Sequence, residues 1–323
     1  MKPLVSILKV TDLEEALRSS LSHFGGLESI VPQGSTVMIK PNFTCALPPE
    51  TGAASDPEIA RLLAQEALQI GASKVIVAEG MGSGENRLNE VKGLEELDKM
   101  KDVEIVDLND EPTQTVVVPD PLIVNQFDIP RVVIDCDVFI NLAKLKVHPQ
   151  ALLSLAMKNM MGALPGRSYS DPQEAKRQGY LTPIIPGAGK KVFHDLARDH
   201  GPEAMQDAIV DLNRVIPSHL TVIDGLYGME GQGSPTSGKP VKMDLLLSGI
   251  DIVAVEAVAA SIIGFNTDHV PYLKHAVKKG LGSAYHLTEI DMRGERIDDV
   301  VRPFERASVE SLWTDTCEVD ETV

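Results

Sequence analysis

Short β-branched and apolar runs that alternate with helical stretches constrain this chain more than any other feature. Residues 3–10, 36–40 (TVMIK), 74–78 (KVIVA), 103–108 and 137–143 (DVFINLA) each read as a strand. Between them, Thr11-Asp12-Leu13-Glu14 opens a helix with a cap and an acidic first turn, and Asp56-Pro57 opens another that runs to Gly71. Residues 87–100 read as a third helix. Several of the strand runs lack the polar alternation of a half-exposed strand, so they fit a sheet covered on both faces. The fold class expected is therefore α/β, a mostly parallel sheet covered by helices. In such sheets ligands sit beyond the carboxyl ends of the strands, which places Lys40, Asn42, Glu79 and the Gly80–Gly84 loop on one edge. That loop is GxGxG, neither a dinucleotide fingerprint nor a GxxxxGK[ST] phosphate loop, and reads as a plain turn.

At 323 residues the chain is long enough for two lobes with a cleft between them, expected as an N-terminal α/β lobe over 1–145 and a second over 146–314. A net charge of −17 argues against nucleic acid or an anionic membrane as the partner, since both are bound through basic surfaces. The N-terminal apolar stretch is too short and too soon acidic for a secretory signal, no run has transmembrane length, and the expected localisation is cytoplasmic. Cys45, Cys136 and Cys317 are few, scattered and odd in number, so neither a disulfide framework nor a local iron–sulfur cysteine motif is expected.

Within this acidic chain lies a basic island. Residues 141–200 contain nine Lys/Arg and four Asp/Glu, a local charge of +5 against −22 for the rest. Clustered cations repel one another and favour anions nearby, so the island predicts a pocket for a small anion, a carboxylate or phosphate. Lys144, Lys146 and His148 follow the apolar run at alternate positions and share one strand face, and Pro149 ends the strand. Residues 151–161 read as a helix carrying Lys158 and Asn159. Residues 163–192 are rich in Gly, Pro and polar residues and read as a long loop over the site, to which Arg167, Lys190 and Lys191 add charge.

The last third supplies carboxylates. Asp224 and Glu230 follow a strand at 220–223 among glycines that allow a backbone to approach a ligand, and with His194 they form a candidate metal set. Glu256 interrupts the apolar helix that starts at Asp251, and reads as a rim residue or as the partner of a lysine. The tail from 315 to 323 is acidic and reads as frayed.

The ordered motifs Lys40-Pro41-Asn42, Asn141-Leu142-Ala143-Lys144-Leu145-Lys146-Val147-His148, Lys158-Asn159-Met160-Met161-Gly162 and Asp224-Gly225 with Met229-Glu230-Gly231-Gln232-Gly233 resemble the family of domain of unknown function 362 over residues 35–295. Some members of that family carry a ferredoxin-like domain with paired four-cysteine motifs, which this chain lacks. Two details depart from the family pattern: Ser154 stands near its threonine, and Glu256 replaces an aspartate. The lysine and histidines also bear a distant likeness to the nickel-pincer lactate racemases, which implies Lys158, His148 and His194 as the analogues of a cofactor-bearing lysine and nickel ligands.

Two function classes follow. In the first the protein is an enzyme of isomerase or racemase type, with His148 and Lys158 as acid–base groups and Lys40, Asn42, Lys144, Lys146 and Asn159 binding the anion. The cofactor stays open, between none and a divalent, nickel or iron centre. In the second the same cleft binds a ligand or metallocentre without turnover.

Overall fold

The computed structural model describes residues 2–43, 46–80, 88–165, 191–232 and 238–307. The strands are β1 (Leu4–Lys9), β2 (Thr36–Lys40), β3 (Lys74–Glu79), β4 (Val103–Asp107), β5 (Thr113–Val117), β6 (Gln126–Pro130), β7 (Val138–His148), β8 (Leu152–Ser154), β9 (Leu220–Glu230), β10 (Lys239–Gly249) and β11 (Asp291–Gly294). The helices needed below are α1 (Leu13–Ser22), α2 (Pro57–Gln69), α3 (Leu94–Asp98), α4 (Arg131–Ile134), α5 (Ala156–Asn159), α6 (Lys191–His200), α7 (Pro202–Asn213), α8 (Ile252–Ile262) and α9 (Pro271–Lys278).

Nine strands form one sheet in the order β11-β1-β10-β9-β7-β2-β3-β4, with β8 folded back on β7, and β5 and β6 pair separately. From β9 to β4 every neighbour along that order is parallel, while β10 runs antiparallel to both β9 and β1. The sheet is thus mixed but mostly parallel and flanked by helices, the α/β class expected.

Side-chain alternation along β7 divides the interior in two. Ile140 and Leu142 join the layer that holds Leu17, Leu21 and Leu63 of α1 and α2. Phe139, Ala143, Leu145 and Val147 join the layer that holds Met157, Ile209 and Val255 of α5, α7 and α8. All eleven residues of β7 are buried, the polar Asn141, Lys144, Lys146 and His148 included. The helix starts follow the sequence signals. Asp12 accepts from Glu15 N (2.8 Å), Asp56 from Glu58 N (2.9 Å) with Pro57 next, and Asp251 from Val253 N and Ala254 N (both 3.0 Å).

Several expectations are corrected. β7 itself runs to His148, as the shared face of Lys144, Lys146 and His148 and the stop at Pro149 predicted, but β8 then returns antiparallel to it with Lys146 opposite Ser154 and His148 opposite Leu152. The helix expected over 151–161 is therefore a strand, a four-residue helix and a 3-10 turn, Met160–Ala163. A short run that is apolar all round is compatible with either element, and here the extended β7 supplies a partner for a strand. The single helix expected over 87–100 is a 3-10 turn, Leu88–Glu90, followed by α3. β9 and β10 are longer than expected and pair as far as Glu230 opposite Lys239. The boundary expected at 145/146 falls inside β7, which pairs with β2 and with β9, so one sheet joins the two parts. The loop over 163–192, residues 81–84, Arg167, Lys190, Cys45, Cys317 and the acidic tail lie wholly or largely outside the described residues.

Candidate anion-binding site

β7 delivers three polar side chains to the carboxyl edge of the sheet, and all three are buried: Lys144 at 1% exposure, Lys146 at 0% and His148 at 6%. An isolated buried ammonium is costly, so each lysine is met by oxygen. Lys144 Nζ donates to Asp224 Oδ2 at 2.9 Å, an ion pair with neither side chain exposed. Lys146 Nζ donates to Asn42 Oδ1 and to Ala53 O, both at 2.8 Å. From the end of β2, Lys40 Nζ donates to Glu79 Oε2 (2.8 Å), Pro41 O (2.6 Å) and Asn159 Oδ1 (3.3 Å).

Asn159 is the hub. Its Oδ1 accepts from Asn42 Nδ2 (2.8 Å) as well as from Lys40, and its Nδ2 donates to Asn141 Oδ1 (2.7 Å). Lys40, Asn42, Lys146 and Asn159, expected to bind an anion, are thus brought together in one buried network of bonds to this chain's own oxygens. The loop after β2 is laced into it. Ser55 Oγ accepts from Asn42 N and donates to Leu142 O (both 3.1 Å), and Asp56 N donates to Asp224 Oδ2 (2.7 Å). Gly52, at φ 73°, lets that loop press on β9, where an added Cβ would stand 2.1 Å from Gly228 O. Gly225 and Gly228, beside Asp224, are closely packed by this chain itself: an added Cβ would stand 3.0 Å from Leu245 O at the first and 2.5 Å from Phe304 Cζ at the second.

His148 has an unexpected role. Its Nδ1 accepts from both Gln150 N and Ala151 N, at 3.0 Å each, across the turn that joins β7 to β8. With two N–H groups aimed at Nδ1, the neutral ring carries its proton on Nε2. Burial, then the charges of Lys158, His194 and Lys146, hold its pKa well below the usual histidine value. This corrects the expectation that His148 shuttles protons near neutrality. It is held as a neutral donor through Nε2. The same geometry disagrees with a nickel-ligand role, because a neutral histidine bound through Nε2 would turn an Nδ1–H against two N–H donors.

Lys158 is half-buried and lies close enough to the buried His148 for its charge to act on that ring. His194, on α6, is exposed, and its Nδ1 lies 3.0 Å from Gln150 Oε1. The metal set does not assemble. Asp224 Oδ2 is taken by Lys144 and Asp56 N and its Oδ1 by Leu226 N, whereas Glu230 Oε2 accepts from Glu305 N near the β9–β10 turn. Among the described residues no group of three or more His, Cys, Asp or Glu could hold a metal ion.

Glu256 is neither at the rim nor paired with a lysine. It is fully buried, its Oε1 accepts from Tyr272 Oη and its Oε2 from Met157 N (2.9 Å), and burial pushes its pKa up to about 7. Sequence reasoning also passed over Asn141 and Ser55. Asn141 carried a usable signal, an amide inside an apolar strand run, which demands a buried partner. Ser55 carried none.

Comparison with known proteins agrees with the motifs. A thylakoid-associated protein of Synechocystis sp. is 25% identical over 267 residues, covering 82% of this chain and 74% of its own length. The lactate racemase apoprotein from Thermoanaerobacterium thermosaccharolyticum overlays 81% of this chain and 57% of its own, with a TM-score of 0.41 and 11% identity. No helix among the described residues is long and apolar enough to cross a membrane. The sequence matches domain of unknown function 362 over residues 37–261, well over half the chain and every element that builds the buried network, and the protein belongs to that family.

Proposed function

We propose that the rim formed by Lys158 and His148 binds a small carboxylate or phosphate, and that the protein is an enzyme of isomerase or racemase type. The observation that carries the reading is His148. Burial is the main reason its ring stays neutral, and the positive field of Lys158, His194 and Lys146 that adds to it also favours an anion beside its Nε2–H. The buried pairs Lys40–Glu79 and Lys144–Asp224 are internally neutralised, so they build the floor, while Lys158 supplies the charge that meets the ligand.

The chemistry this arrangement supports is proton removal next to a carboxylate. Once the anion is bound, Lys158 passes its own proton to solvent and as the amine takes the α-proton, and negative charge grows on the carboxylate oxygens. His148 Nε2–H donates to one of them, a fixed dipole that needs no reorganisation as the charge develops. The planar carbanion then turns its other face to the Lys158 ammonium, which returns the proton to the same carbon and completes an inversion. A neutral imidazole suits this role better than an imidazolium, since it donates without giving its proton away.

The test is calorimetric titration with phosphate, acetate and L-lactate, together with proton NMR of the same carboxylates in D2O. Binding at millimolar concentration is expected, lost in Lys158→Ala and weakened about tenfold or more in His148→Ala, in line with roughly 1.5–3 kcal/mol for a hydrogen bond to a charged group. Exchange of an α-proton for deuterium identifies an enzyme, whereas binding without exchange leaves a ligand carrier. If wild-type protein binds none of the three, the reading is wrong.

A further inference from the structure

The four-residue helix α5 carries Lys158 and Asn159, yet has little to hold it by itself. One helical turn closes too few backbone bonds to be stable in isolation, and its N-cap residue, Leu155, offers no side-chain acceptor. The acceptor comes instead from a helix almost a hundred residues further along the chain. Glu256, near the middle of α8, accepts from Met157 N at 2.9 Å, with the Ala156 N–H dipole also favouring its carboxylate form. Its other oxygen accepts from Tyr272 Oη on α9.

The carbonyls of the same two residues are held as well. Asn141 Nδ2 donates to Ala156 O and Asn213 Nδ2 to Met157 O, each at 2.9 Å. Lys158 therefore leaves the backbone directly after two residues whose carbonyls are tied to buried side chains, and Met157 is tied through its N–H as well. Asn159 is fixed further by the network around Lys40, whereas Lys158 is only half-buried. Its placement depends on the turn that precedes it.

Every helix position from Ile252 to Ala260 is buried, and most of Glu256's neighbours there are Val and Ala. A carboxylate at such a place costs several kcal/mol unless directed bonds offset it, and an apolar residue would serve packing alone at least as well. We propose that Glu256, oriented by Tyr272, is the positioning residue for Lys158: a tertiary cap that aims the α5 turn so that the ammonium meets the anion beside His148. The inference rests on the reading of the rim given above for its ligand, but not for its geometry.

The geometry is tested without any ligand, by acetylating the folded full-length chain with sulfo-N-hydroxysuccinimide acetate. Lys158 is followed by peptide mass spectrometry relative to Lys101, whose side chain is 93% exposed. Glu256→Ala is expected to change the Lys158/Lys101 rate ratio threefold or more, and Glu256→Gln, which retains an acceptor for Met157 N, to stay within twofold of wild type. Where Glu256→Ala does not fold, Tyr272→Phe is used, and a shift larger than that of Glu256→Gln is expected. A lower Tm with an unchanged rate ratio in Glu256→Ala and Tyr272→Phe would reduce the pair to a structural role and overturn the proposal. Titration with inorganic phosphate separates the two readings. No phosphate, acetate or lactate binding to wild type, with a rate ratio that still responds to Glu256, removes the anion site and leaves the positioning role standing. Phosphate binding with both affinity and rate ratio unchanged in Glu256→Ala removes the positioning role alone.

Discussion

Two ion pairs at this site are so deeply buried that their energetics invert the usual surface rule. Lys144 and Asp224 have no exposed side-chain surface, and each depends on the other to offset its desolvation. Lys144→Met should therefore cost about 3–5 kcal/mol in urea denaturation, chiefly by stranding the Asp224 carboxylate. Adding Asp224→Asn should recover part of that loss, because it removes the stranded charge while its one amide oxygen still accepts from either Asp56 N or Leu226 N. A neutral effect of Lys144→Met would show that water reaches the pair and that its burial is not maintained in solution. The lysine positions were legible in the sequence as a basic island. Their partners were not, since Asp224 lies eighty residues away and its proximity depends on β7 and β9 becoming neighbours.

At the scale of elements, the 3-10 turn Met160–Ala163 is pressed against the Lys40–Glu79 pair. A Cβ at Gly162 would lie 2.2 Å from Glu79 Oε1 and 2.4 Å from Lys40 Nζ, and Gly162 O also accepts from Gly80 N at 2.9 Å. Gly162→Ala must displace the turn or the pair, and should cost about 1–3 kcal/mol, the usual cost of overpacking. Thermal unfolding checks it, and an unchanged Tm would mean that the turn yields freely. The helix starts were readable because Asp12, Asp56 and Asp251 act on N–H groups two or three residues away. The misread segment, 151–161, took its conformation from β7: a strand formed because Lys146 and His148 had unpaired backbone to offer. Periodicity within eleven residues carries no trace of that partner.

Two buried groups give the whole molecule opposed pH dependences. Glu256 has a folded pKa near 7, above its ordinary 4.5. Its contribution to stability is fully present below about pH 4.5 and is lost as pH rises through 7, on the order of 3 kcal/mol at 1.36 kcal/mol per unit. His148 has a depressed folded pKa, so its contribution is present above about pH 6.5 and is lost as pH falls further. Urea midpoints measured from pH 4.5 to 8 should show the first slope vanish in Glu256→Gln and the second in His148→Gln. An unaltered profile in Glu256→Gln would mean that the Glu256 carboxyl titrates as if in water.

The sequence by itself determined the class of the fold, the strand that leads to the site and the side chains gathered at its end. Those properties are written in local periodicity, in caps and in charge density, all of which act over a few residues. Only the tertiary structure decided what those side chains do. Lys40, Lys144 and Lys146 became buried structural cations because Glu79, Asp224 and Asn42 arrive from other strands and loops. His148 became a fixed neutral donor because the turn after it aims two N–H groups at one ring nitrogen. Glu256 became the cap of a helix that it does not belong to. A hydrogen bond is decided by tenths of an ångström between groups distant in sequence, and only the folded chain sets those distances.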